Sequence, residues 1–209
     1  LKIIFDFTGS YGYAIILFTI LTRILLLPIN IKQTKSTKIM NELNPKIKEI
    51  QNKYKNNPEK MNEKLLELYK EHNYNPASGC LPLLIQFPII IALFGVLQYP
   101  TKFVFTPEEY DAIAKSFWWL ADLGKPDQFY ILPVLSAVTT YLQTAMLSAK
   151  GNVDSSMKTM NTIMPLMIGY FTLKFPSGIA LYWVFGNILT IIQQYFMTKL
   201  DVGHKGGEK

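Results

Sequence analysis

An all-α membrane protein is the fold class this sequence predicts: five transmembrane helices around a hydrophilic groove, with a helical hairpin on the cytoplasmic side. Three observations carry that expectation. Apolar residues make up 49% of the 209, and they are bunched into runs of roughly 17 to 22 residues, the length that spans the hydrocarbon of a bilayer. Lysines are shared unequally between the segments that join those runs. Finally, Arg23 falls inside the first run, while every Asp and Glu lies outside all of them.

The expected elements follow in order. Residues 1–10 form an outer N-terminal segment that lacks the basic stretch of a signal peptide, so a targeting segment upstream is compatible with it. The spans are 11–29, 80–98, 129–147, 160–174 and 178–198. Between them lie a cytoplasmic hairpin (30–79), an outer loop (99–128) and a cytoplasmic loop (148–159), with a cytoplasmic tail at 199–209. Only Lys174, Phe175, Pro176 and Ser177 join the last two spans, which makes them a tight helical hairpin. Pro82, Pro88, Pro133 and Pro165 sit within spans, where neighbouring helices can satisfy the freed carbonyls. Trp118, Trp119 and Tyr130 fit an outer interfacial belt, and the Trp118–Trp119 stretch reads equally as a half-helix or a loop.

Orientation comes from lysine. Fifteen lysines fall in the 31–76 segment, the loop after the third span and the tail, against five on the other side, which puts the C-terminus in the cytoplasm and the N-terminus outside. Within the cytoplasmic segment Ile39, Leu43, Ile47, Ile50 and Tyr54 recur at helical steps, and Met61, Leu65 and Leu68 give a second stripe. Asn44-Pro45 and Asn57-Pro58 each read as a cap followed by proline at the first helical position. The expectation is two helices with facing stripes and a turn near Asn56-Asn57. A charged loop lying on anionic headgroups is the plainer description of the same lysines.

Arg23 poses the functional question. Arginine stays protonated, and an ionised group at membrane depth costs from about 2.5 to well over 10 kcal/mol unless water or a partner reaches it. Thr19 lies one turn earlier on the same face. Ser136, Thr140, Gln143 and Thr144 share a face of the third span, and Trp183, Asn187, Thr190 and Gln194 a face of the fifth. These stripes, with Gln86, suggest a common wet cavity. Two alternatives stand beside it. The amides, Gln86 and Asn187 above all, can serve as interhelical hydrogen bonds, and Arg23, ~10 Å of helix rise from the cytoplasmic end, can snorkel. Nothing supports catalysis or a cofactor: Ser177 has no intramembrane base, no glycine loop cradles phosphate, and one cysteine and two histidines are too few for a disulfide or the usual metal clusters. Cys80 reads as a packing residue.

These segments together resemble the YidC/Oxa family of membrane protein insertases. The resemblance runs from Tyr11 to Leu200. It rests on Thr19-Ile-Leu-Thr-Arg23 with Pro28; Asn44-Pro45-Lys46-Ile47; Asn75-Pro76 leading into Gly79-Cys80-Leu-Pro-Leu-Leu-Ile-Gln86; Trp119-Leu-Ala-Asp122-Leu with Tyr130-Ile-Leu-Pro133; and Phe175-Pro-Ser-Gly178 with Leu181-Tyr182-Trp183 and Ile191-Ile-Gln-Gln194. It implies a groove open to cytoplasm and lipid and closed to the outside. Arg23 matches the groove arginine, Thr19 and Trp183 match substrate-contacting positions, and Gln143 matches a groove-lining amide. Asn187 and Gln194 extend the Trp183 face and join these as candidate substrate contacts. The 31–76 hairpin matches the mobile hairpin of relatives. The chain resembles the shorter Gram-positive type, usually a lipoprotein, although no lipidation cysteine is visible, and its short tail does not match the ribosome-binding tail of mitochondrial relatives. The implied function is insertion of small membrane proteins without ATP, with nascent membrane proteins and lipids as partners. The Sec translocon and the ribosome stay open as partners, and nucleic acid is not one. The alternative is a small anion transporter or channel with Arg23 as its anion site, against which stands the lack of an internal repeat.

Overall fold

The computed structural model describes residues 1–75, 81–113, 115–148 and 155–205. Cys80, the middle half of the expected 148–159 loop (149–154) and the last four residues lie outside that set. Among the described residues the fold is all-α: α1 (Lys2–Thr8), α2 (Tyr11–Leu25), α3 (Leu27–Lys53), α4 (Pro58–Glu71), α5 (Leu81–Gln98), α6 (Pro100–Phe103), α7 (Pro107–Ala112), α8 (Ile131–Ser148), α9 (Ser155–Thr172) and α10 (Ser177–Lys205). Helix α10 is the centre of the molecule, packing on α2, α5 and α8, while α9 packs mainly along α8.

By length and hydropathy, one described helix segment, Ser177–Met197, suffices to cross a bilayer, and Tyr11–Leu25 with Leu27–Lys53 passes only as a pair bent by 62°. Leu84–Gln98 and Ile131–Met146 are shorter apolar helices. Many of the large side chains left exposed on α2, α8 and α9 are apolar, among them Ile24, Leu25, Val138, Tyr141, Leu166 and Tyr170. So broad an uncovered apolar surface suits lipid better than water.

The bend corrects one expected boundary. The first helix stops at Leu25 rather than at 29, and after Leu26 the chain enters α3 at once. Pro28, in the first turn of α3, has no N–H to continue the α2 hydrogen-bond ladder, which accounts for the break. The hairpin follows as expected. The Asn57 side chain accepts from Lys60 N at 3.1 Å, and Pro58 opens α4. Leu43, Ile47 and Leu68 form the buried cluster, flanked by Ile39, Ile50 and Leu65. Asn44-Pro45 is not a helix start, however: both residues lie inside α3. Pro45 is exposed, so water reaches the site of the missing bond, and Leu43 and Ile47 on either side anchor the helix against α4.

The main core gathers at one end. It joins Tyr11 and Ile15 of α2, Leu93 and Leu97 of α5, Leu132 of α8, and Ile179 to Tyr182 of α10 to Phe105, Phe117, Leu120 and Leu123 of the connecting segment. After α7 that segment is a loop, with Trp118 at φ 55° in a tight Phe117–Leu120 turn rather than in a half-helix. It also caps two helices. Buried Asp127 accepts from Phe129 N (3.0 Å) and Leu132 N (2.8 Å) at the start of α8. The carbonyls of Lys125 and Leu123 accept from Ser177 N (2.7 Å) and Gly178 N (3.0 Å), satisfying donors that a helix N-terminus leaves open. The ring of Phe117 lies on Gly12 of α2, where any Cβ would overlap it.

Candidate functional site

Beyond Thr19 no residue of α2 is fully buried, so Arg23 sits past the dense core, toward the hairpin. The Thr19 hydroxyl is wholly buried and donates to Ile15 O at 2.7 Å within its own helix. The Arg23 guanidinium is laid against Gly186 of α10. A Cβ on that glycine would stand 2.5 Å from one terminal nitrogen and 3.3 Å from both Cζ and Nε. Arg23 Nε is buried without an acceptor, and among the described residues no carboxylate forms an ion pair with the side chain. A cation held in such a place has its charge available to an anion from elsewhere.

The second polar group lies on the neighbouring face of α10. Trp183 Nε1 donates to Thr140 Oγ1 at 3.0 Å. The buried Asn187 amide is best satisfied with its nitrogen donating to Gln143 Oε1 (2.7 Å) and its oxygen accepting from Thr139 Oγ1 (3.0 Å) and Trp183 Nε1 (3.2 Å). The carbonyls of Leu135 and Ser136, one turn back, lie 2.7 and 2.6 Å from the Thr139 and Thr140 hydroxyls and are the alternative acceptors for their single protons. Asn187 thus ties α10 directly to α8, the interhelical role open to it from the sequence. Gln86 has the same role between α5 and α10, donating to the Tyr182 hydroxyl at 3.0 Å. Trp183 and Gln143 are only partly buried, and Gln194 is buried farther along α10.

Gly186 and Asn187 are adjacent in sequence, about 100° apart around the helix. Arg23 and the Asn187 network therefore occupy two sides of α10, bridged by the Tyr182–Trp183 turn. Gly186 was missed in the sequence; its one signal was a residue without a side chain one turn after Tyr182 on the same face. A cavity of about 450 Å³ lies elsewhere, between α1 and the 105–113 segment, and none of these residues lines it.

An all-α bundle with a broad apolar exterior, a helical hairpin and an arginine between helices that has no ion-pair partner among the described residues defines the class as a helical membrane protein. A family profile described as the 60Kd inner membrane protein matches residues 3–204. The chain is 44% identical to the membrane protein insertase YidC of Clostridium perfringens, over 99% of this chain and 86% of that protein. It is 41% identical to the YidC of Fusobacterium nucleatum, over 92% and 88% respectively. The crystal structure of an active YidC insertase with its first transmembrane domain resolved superposes with a TM-score of 0.73 at 34% identity. That match covers 92% of this chain and 43% of the solved one. The chain belongs to the YidC/Oxa family of membrane protein insertases, whose described type is a bacterial inner membrane protein.

Proposed function

We propose that this protein inserts small membrane proteins into the bacterial plasma membrane through a water-accessible groove bearing Arg23, without ATP and without a chemical reaction. Five spans, α2, α5, α8, α9 and α10, cross the bilayer with the N-terminus outside and the C-terminus in the cytoplasm. The α3–α4 hairpin meets the nascent chain, delivered by a ribosome or beside a Sec translocon. Arg23 then attracts acidic residues in the short polar segment that must cross. Thr19, Gln143, Trp183, Asn187 and Gln194 line or brace the path. Release is sideways, as the apolar span of about 20 residues partitions into lipid, where its burial supplies the driving force.

The observation that carries this reading is a guanidinium held between α2 and α10 with no acid beside it among the described residues. The dense core at the other end supports closure toward the outside. Reconstitution of the purified chain in liposomes tests it. Arg23→Ala loses insertion of acid-bearing single-span substrates and Arg23→Lys largely keeps it. Equal Arg23 dependence of a substrate stripped of acids contradicts charge pairing, and solute flux without insertion would favour an anion transporter.

A further inference from the structure

We infer that Gly186 is a positioning residue for Arg23: its missing side chain is the recess that fixes where the cation presents its charge. The inference rests on the reading above and deepens it. Glycine in a helix interior is less favourable than alanine, so a glycine in the middle of α10 calls for a local reason. The reason is the guanidinium plane. The three heavy atoms nearest an added Cβ, outside the helix's own backbone, all belong to the Arg23 side chain. The Gly186 carbonyl is already used by Thr190 Oγ1 at 2.8 Å, so the arginine is held there by shape rather than by a bond to this glycine. Tyr182, one turn earlier on the same face, is buried and tied to Gln86, which leaves no slack on that side.

A methyl at Gly186 must therefore move the far end of Arg23 and not the helix. Because Nη2 meets the methyl at 2.5 Å while Cζ stays at 3.3 Å, the conflict belongs to the outer nitrogen. Lysine carries no atom at that place, since its ammonium ends near the position of Cζ. Arg23→Lys is then the relieving partner of Gly186→Ala.

The test uses the full chain in liposomes with paired substrates, one with acids in its translocated segment and one without. Thermal unfolding in detergent confirms that each variant is folded. Gly186→Ala is expected to bring insertion of the acid-bearing substrate down toward the level of Arg23→Ala while leaving the acid-free substrate unaffected. Adding Arg23→Lys to Gly186→Ala is expected to raise it again, although Arg23→Lys alone gives no gain. Arg23→Ala, run in parallel, separates the two layers. If it leaves insertion intact, the role given to Arg23 is wrong. If Arg23→Ala is defective but Gly186→Ala is not, or its defect persists with lysine, the positioning role alone is overturned.

Discussion

Replacing Asn187 by leucine separates a bracing role from a substrate-contacting one. Leucine keeps the volume and removes the amide. Thr139 and Thr140 can turn their hydroxyl protons to Leu135 O and Ser136 O, and Trp183 retains Thr140 Oγ1. The group that loses its partner is Gln143 Oε1, together with the acceptor shared by Thr139 and Trp183. Interhelical hydrogen bonds in membranes contribute on average about 0.6 kcal/mol and at most about 1.7, so the loss amounts to roughly 1–2 kcal/mol. At a few degrees per kcal/mol for a chain this long, the unfolding midpoint falls by roughly 2–8 °C. The assay is thermal unfolding in detergent across a double-mutant cycle of Asn187→Leu with Gln143→Leu, where the pair should lose less than the sum of the singles. Additive losses, or an unchanged midpoint together with lost insertion, would refute the bracing role and return Asn187 to the substrate path.

Three further outcomes follow from the packing. Ile47→Ala removes one of the three apolar side chains buried between α3 and α4 among the described residues; at about 2–5 kcal/mol for such a truncation, amide exchange in α4 should rise sharply while α10 stays protected. Gly12→Ala drives a methyl into the Phe117 ring, an overpacking cost of about 1–3 kcal/mol, and on a Phe117→Ala background, itself destabilised by loss of a core ring, the same substitution should lower the midpoint much less. The Lys2–Glu109 bridge at 2.8 Å joins α1 to α7. The lysine hydrogen bond, then the Thr106 N–H, hold the Glu109 carboxyl below its ordinary value, and the same bond raises Lys2. The contact is therefore present at neutral pH, is lost as pH falls through the depressed carboxyl value, and is lost again as pH rises through the raised lysine value. Exchange in α1 measured at acid, neutral and alkaline pH should show protection only in the middle, and a small one, because both groups are exposed.

Spacing made much of this readable. The stripes of α3 and α4 and the Asn57 cap needed only the helical period and the chemistry of an asparagine before proline. Thr19 and Arg23, and Trp183 through Gln194, shared faces for the same reason. What spacing lacks is the rotation of one helix against another. It left open whether Asn187 faced water or Gln143, and it could not place Arg23 against Gly186, on a different side of α10 from Asn187. Pro45 misled because a proline after asparagine reads as a start, whereas exposure and flanking packing let α3 run through it. The α1 helix and the Phe117–Leu120 turn depend on long-range contacts, Phe5 with Phe105 and Phe117 with Gly12, that no local window contains.

Reversing the charge on both sides tests the central claim most directly. Arg23→Glu should fail with a substrate carrying aspartate in its translocated segment and recover when that aspartate is replaced by lysine. If the lysine substrate fares no better than the aspartate one with Arg23→Glu, attraction between Arg23 and acidic cargo is not how this protein works.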